Sequence, residues 1–545
     1  MRTPQRSDPI RCDVDYAPWR ADMVLQGNSA SVVGNVASAA LLASGLRNLS
    51  MRFLSSLAIC SALVAEFPTV NAQTELRRLG SLEFEPCSLS APGQPGAVEA
   101  LCTEMEVPED RAESGGRMIS LAIAWVPSTG EAAPDPVFML AGGPGQSAKA
   151  SYPSVAAAFS EVNRTRDIIL VDQRGTGDSN PLDCRETAAL EIYSIGTEMT
   201  VTAAREFAEG CLAEVSNRAD VRHYTTTNAI ADLESVRVAL GAQTINLYGA
   251  SYGTRVAQQF AAAYPLSTRA VLIDSVVPND LVLGTEHARN IEAALQTQFS
   301  RCQADVACSM GLADPLAALA QVRAALAAPD LAPVRYRDAT TGQWHEEVPT
   351  MGHLSMLLRM YAYSPMTAVL LPVVVSQALA GDYATLLAQA RFVGESLGDQ
   401  IMLGLQLSVT CSEDADEMRV DLADQGTVMG GEFVGLTLAQ CAVWPRGQRR
   451  DNFRAPLTGD LPVLAISGEF DPVTPPRYGE AAIAQLNKAR HLVLRGQGHT
   501  VIGSGCMPTL FAQFIESTDA SALDASCLDH LAPLPPGTGL YGWEP

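Results

Sequence analysis

Ser251 stands in the run Gly249-Ala250-Ser251-Tyr252-Gly253. A serine hydroxyl becomes a nucleophile when a base takes its proton and the backbone presents it at a sharp turn. The flanks supply that setting. Thr244 to Tyr248 reads as a short buried strand, and a helix follows through Thr254 to Ala263. In such a strand–turn–helix the turn is strained, so small residues must flank the serine. The start of the helix then points backbone N–H groups at the reacting oxygen. Without these flanks the same five residues would be an ordinary glycine-rich turn.

The base is sought among seven histidines. His223, His287 and His353 fall in helical or irregular stretches, His345 follows Trp344, His491 begins a strand and His530 lies near the C-terminus. Only His499, in Gly496-Gln497-Gly498-His499, sits in a glycine-rich loop just after the last strand. An acid must hold its tautomer and stabilise the imidazolium. Asp471, just beyond the strand ending at Ser467, is preferred, with Glu469 and the strand-end Asp274 as rivals. The order Ser251, Asp471, His499 is that of the α/β hydrolases and differs from those of chymotrypsin and subtilisin. Two N–H donors are needed for the oxyanion. The residue after the nucleophile, Tyr252, supplies one, and Gly143 in Gly142-Gly143-Pro144-Gly145 is chosen for the other. The competing reading of that second run is a plain tight turn.

The elements that must position these residues alternate between strand and helix. Met118 to Val126, Val137 to Ala141, Asp167 to Asp172, Ala270 to Asp274, Pro462 to Ser467 and His491 to Leu494 read as strands. Thr226 to Leu240 is an amphipathic helix with Ile230, Leu233, Val236 and Leu240 on one face. The expected class is α/β, a mostly parallel sheet flanked by helices. From about 285 to 450 the alternation stops and an Ala-, Leu- and Met-rich, mainly helical insertion begins, expected to form a cap. Core is thus expected over 73–284 and 451–545, with the cap over 285–450.

The 545 residues are 47% hydrophobic and 18% charged, enough to bury a sizeable core. A net charge of −23 disfavours nucleic acid and anionic lipid as partners. The only lysines are Lys149 and Lys488, and neither lies in a phosphate-binding loop. Residues 1–72 read as an upstream extension followed by a signal peptide. The true start is placed at Met51, the apolar stretch at Leu54 to Ala65, and cleavage after Ala72. The stretch is too short to span a bilayer, so no membrane span is expected after cleavage. An uncleaved anchor is the alternative. Ile59 before Cys60 argues against a lipoprotein. Beyond Cys12 and Cys60 ten cysteines remain: Cys87, Cys102, Cys184, Cys211, Cys302, Cys308, Cys411, Cys441, Cys506 and Cys527. An even count in an exported chain, periplasmic or extracellular, reads as disulfides. Connectivity does not follow from spacing, and the simplest guess pairs neighbours. No zinc-type spacing occurs, and no metal or organic cofactor is implied.

Taken together, Gly142 to Gly145, Asp172-Gln173-Arg174-Gly175-Thr176-Gly177, the Ser251 run, Gly468-Glu469-Phe470-Asp471-Pro472-Val473-Thr474-Pro475 and Gly498-His499 resemble the tripeptidyl and prolyl aminopeptidases, serine peptidases of the α/β-hydrolase fold. Cys411 to Asp414 and Cys441 to Pro445 look like the secreted, tripeptidyl-type branch. The resemblance implies removal of residues from peptides with a free N-terminus. Prolyl iminopeptidases usually carry histidine where Ala141 stands, which argues against strict proline specificity. A protonated amine calls for carboxylates, and Glu413 and Asp414 are the candidates, against an ordinary solvated acidic run. Met351 to Met366, with Met356, Met360, Tyr361 and Tyr363, is either an apolar subsite or helix core. An esterase using the same residues and a non-catalytic binding protein of this fold are the rival functions. Oligomeric state, and whether one or three residues leave, are not written in the sequence.

Overall fold

Val137–Leu140 (β5) and Ile168–Val171 (β6) are buried at every position, as strands covered on both faces must be. Their side chains divide with period two. Val137, Met139, Ile168 and Leu170 enter one hydrophobic layer, and Phe138, Leu140, Ile169 and Val171 the other. The computed structural model describes residues 76–93, 95–184 and 199–539. The expected signal peptide, the Met51 start and cleavage after Ala72 lie outside these residues.

The remaining strands of the main sheet are Arg77–Leu79 (β1), Leu82–Leu89 (β2), Val98–Pro108 (β3), Met118–Val126 (β4), Ile245–Ala250 (β7), Thr268–Asp274 (β8), Val463–Gly468 (β11) and Ala489–Leu494 (β12). Their order is β1-β2-β3-β4-β6-β5-β7-β8-β11-β12. β1 to β4 pair antiparallel in sequence, β4 pairs antiparallel with β6, and every neighbour from β6 to β12 is parallel. This is the α/β-hydrolase sheet, reached by an antiparallel N-terminal half and a parallel C-terminal half. The Thr226–Ala239 and Tyr252–Ala263 helices cover one face through Ile230, Leu233, Val256 and Phe260. The Met507–Ser517 helix covers the other through Leu510, Phe511 and Phe514.

β8 and β11 are neighbours in the sheet, yet the whole insertion runs between them. It contains the His287–Ala304, Met351–Ala362, Leu403–Glu413 and Glu432–Cys441 helices, among others, with its own core of Ile291, Phe299, Leu354, Leu358, Leu371 and Val375. It also contains a hairpin of Val334–Arg337 (β9) and Trp344–Glu347 (β10) in a stretch read as mostly helical. Asp338 makes that turn, its Oδ1 accepting from the N–H groups of Thr340 and Thr341. In the Met351–Ala362 helix the core residues are Leu354, Leu357 and Leu358, whereas Met356 and Met360 are half-buried.

Five disulfides join the ten cysteines in chain order: Cys87–Cys102, Cys184–Cys211, Cys302–Cys308, Cys411–Cys441 and Cys506–Cys527. Among the described residues no helix is long and apolar enough to cross a membrane.

Candidate active site

Ser251 follows β7 and caps the Tyr252–Ala263 helix with φ 54° and ψ −125°, a backbone conformation that a side-chain-bearing residue rarely takes. The flanking glycines make room for it. A Cβ on Gly249 would lie 2.4 Å from the Gly253 carbonyl oxygen, and one on Gly253 would lie 2.2 Å from that of Leu140. Both obstacles are backbone, so only glycine fits. The Ser251 N–H donates to the Asp274 carbonyl at 2.9 Å, which fastens the turn to the end of β8.

His499 and Asp471 pair directly. His499 Nδ1 is 2.8 Å from Asp471 Oδ2. The carboxylate also accepts from the N–H groups of Val473 (2.9 Å) and Thr474 (2.8 Å), and from Thr474 Oγ1 (2.8 Å). Burial disfavours its ionised form, but the imidazole and these donors prevail and hold its pKa below the usual aspartate value. Burial likewise opposes a charge on His499. The attraction and hydrogen bond of Asp471 outweigh that, Asp274 adds to them, and its pKa is raised. Thr474 Oγ1, 3.2 Å from His499 Nδ1, braces both members of the pair. Its role was not foreseen from the sequence, though a threonine three residues after the acid is a common self-capping turn.

The two rival acids have other partners. Glu469 Oε2 accepts from the Gly496 N–H at 2.8 Å and so braces the histidine loop. Asp274 is fully buried and accepts from the N–H groups of Val501 (3.0 Å) and Ile502 (2.9 Å) and from the Tyr248 hydroxyl (3.1 Å). Burial pushes its pKa up to about 6. Asp274 therefore holds the Ser251 turn through its carbonyl and the loop just after His499 through its carboxylate. The loop is held from the insertion side too. The His499 N–H donates to the Tyr363 carbonyl at 2.7 Å, and the Tyr363 ring meets the imidazole edge-on at 5.0 Å.

Gly143 has φ 106° and precedes a cis peptide to Pro144. A Cβ on the adjacent Gly142 would lie 3.0 Å from the Ser251 Cβ, so this loop lies against the serine. The Asp172 motif secures it. Asp172 accepts from Ser147 Oγ (2.6 Å) and from the Lys149 N–H (3.1 Å), where the Ala148–Val155 helix leaves the loop. Arg174, wholly buried, makes two bonds of 2.6 and 2.7 Å to Asp232. The Tyr252 N–H is the first of its helix and has no partner within it. Its phenol is buried, 2.6 Å from Thr226 Oγ1.

Glu413 and Asp414 depart from expectation. Both are fully buried. Asp414 faces Arg255 (3.0 Å) and Arg454 (2.9 Å), which saturate it. Glu413 accepts from Thr226 N–H (2.6 Å) and Oγ1 (2.9 Å), beneath the nucleophile helix. Neither has a surface for a substrate amine, so that assignment is withdrawn. The reason is long-range: the end of the Leu403–Glu413 helix turns inward onto two arginines. Among the described residues no group of three or more His, Cys, Asp or Glu side chains is gathered as metal ligands would be.

The C-terminal part of the chain, residues 427–527, matches the family model described as "TAP-like protein". That span includes Asp471 and His499. Serine protease Hip1 of Mycobacterium tuberculosis is 24% identical over 482 residues, covering 82% of this chain and 91% of that protein. A tripeptidyl aminopeptidase of Streptomyces coelicolor is 32% identical over 190 residues, 32% of this chain and 35% of the relative. Carboxylesterase B of Mycobacterium tuberculosis is 27% identical over 447 residues, 74% and 82% of the two chains. The chain is a serine hydrolase of the α/β-hydrolase fold that resembles the tripeptidyl-aminopeptidase-type serine peptidases.

Proposed function

We propose that this chain is an exopeptidase that removes N-terminal residues from peptides, with Ser251 as nucleophile, His499 as base and Asp471 as its acid. The observation that carries the reading is the Asp471–His499 pair held on a loop that shares one anchor, Asp274, with the strained Ser251 turn. His499 takes the Ser251 proton as the hydroxyl attacks the carbonyl. The N–H groups of Gly143 and Tyr252 receive the oxyanion. His499 then protonates the leaving amine and activates a water that releases the acyl-enzyme. Residues 285–450 act as a cap that restricts the cleft, and export to the periplasm or medium accords with the five disulfides. The TAP-like match and the Hip1 and tripeptidyl aminopeptidase relatives favour a peptidase. The carboxylesterase relative favours a second reading, an esterase with the same three residues.

The test compares hydrolysis of a free-amino peptide arylamide with its N-acetylated twin and with simple esters. Preference for the free amine, lost in Ser251→Ala, supports the exopeptidase. Equal cleavage of blocked peptides and esters moves the assignment to an acyl hydrolase. Full activity in Ser251→Ala refutes both.

A further inference from the structure

The C-terminal turn of the Met351–Ala362 helix lies on the histidine loop. The Gly498 backbone is so close to the Tyr363 carbonyl that a Cβ on Gly498 would come within 2.2 Å of its oxygen. One helical turn before Tyr363, on the same side, stands Arg359. Its guanidinium lies over the Phe433 ring, 5.7 Å from the centroid, and the His287 ring lies 5.7 Å from the same phenylalanine. Three helices of the insertion thus bring a cation, an imidazole and an aromatic ring together next to His499.

Arg359 differs from five of the arginines around it. Arg255, Arg289, Arg391, Arg454 and Arg477 each face a carboxylate of the chain. Among the described residues Arg359 has no such partner, although the chain carries 60 acidic residues against 37 basic ones. Its Nε and the Nδ1 of His287 are both enclosed and make no hydrogen bond. Enclosed polar atoms of this kind are unfavourable unless something completes them. The helix C-terminus and the ring face offset the charge in part. They leave the planar edge of the guanidinium without the acceptor it is shaped for. His287 is kept neutral, its pKa pushed down to about 3 by burial and by the Arg359 charge, so it does not compete for an anion as a second cation.

We propose that Arg359, with His287 beside it, binds a carboxylate of the substrate, and that this enzyme prefers substrates carrying an acid close to the scissile bond. The inference rests on the peptide-cleaving reading above and assigns a substrate class to the same site. Two sources supply such a group: an acidic side chain on the acyl side, or the terminal carboxylate of a short leaving peptide.

The experiment measures kcat/KM for two matched pairs with the full chain. Ala-Ala-Glu-arylamide against Ala-Ala-Gln-arylamide tests the side chain. Ala-Ala-Ala-Ala with a free C-terminus against its C-terminal amide tests the terminus. The expected result is a preference of about tenfold or more for the carboxylate in one pair, which also identifies the source. In Arg359→Gln that ratio falls to about one, and in Arg359→Lys, which keeps the charge without the fork, it is intermediate. A purely structural role would lower both members of a pair equally and leave the ratio unchanged. Equal rates within both pairs in the wild type, or a ratio preserved in Arg359→Gln, overturn the proposal. If no free-amino peptide is cleaved, the peptidase reading fails on its own. The 4-nitrophenyl monoesters of succinate and butyrate then form the deciding pair, with the same ratio criterion.

Discussion

Gly253→Ala is the most demanding test of the Ser251 turn. The added Cβ would sit 2.2 Å from the Leu140 carbonyl oxygen and 2.7 Å from that of Ala141. An ordinary C···O approach is about 3.3 Å, so the backbone leaving β5 must withdraw by roughly 1 Å. That backbone runs directly into Gly142 and Gly143, the loop lying against the serine. Overpacking of this kind costs about 1–3 kcal/mol of stability. A displacement of about 1 Å in a group that positions the reaction costs on the order of 10²-fold in rate. Gly435→Ala is the matched control. It lies in the Glu432–Cys441 helix with nothing within 4 Å of a new Cβ, and alanine there is expected to add up to about 1 kcal/mol. Labelling by a fluorophosphonate, hydrolysis rate and melting temperature are measured for both variants. Gly253→Ala is expected to lose most of its labelling rate and melt several degrees lower. A variant within threefold of the wild-type rate and with an unchanged melting temperature would refute the close-approach argument.

Two further outcomes follow from the titrating groups. His499 must be neutral to act as base, and Asp471 raises its pKa, so kcat/KM is expected to rise with pH through an apparent pKa above the ordinary histidine value of about 6.5; a plateau already reached at pH 6 contradicts this. Glu413, pushed up to about 7 chiefly by burial, holds its proton more tightly in the folded chain than in the unfolded one. Its contribution to stability is present below the unfolded glutamate value and declines as pH rises toward 7. The stability of Glu413→Gln relative to wild type is therefore expected to grow between about pH 4.5 and 7, by at most about 3 kcal/mol, in denaturant titrations. A gap independent of pH would show that Glu413 does not titrate there.

The parts of the fold legible in the sequence are those with local signatures. Met118–Val126 is an apolar strand with sharp edges, and the Gly249 to Gly253 run announces its turn because only glycine fits its flanks. β2 and β3 escaped because they are half-exposed, with Glu83, Glu85, Glu99, Glu104 and Glu106 interrupting the apolar pattern. The β9–β10 hairpin depends on an aspartate turn inside an alanine-rich stretch. Glu413 and Asp414 look like a solvated acidic run until Arg255, 159 residues from Asp414, is brought to face it. The bracing by Thr474 and Asp274 is equally invisible, since each depends on groups assembled only after the sheet forms.

Asp274 has a consequence for how this chain tolerates change. Its bond to Val501 spans 227 residues of sequence, and most of the intervening chain lies in the insertion. The Ser251 turn and the His499 loop are thus both fastened to the end of β8 and do not depend on the peptide path that joins them. A break or a length change in an outer loop of the insertion leaves the clamp in place. The enzyme is expected to survive a proteolytic nick there as two associated fragments, and, on the cap role proposed above, those outer loops are free to diverge, altering which molecules are admitted without disturbing how they are cut.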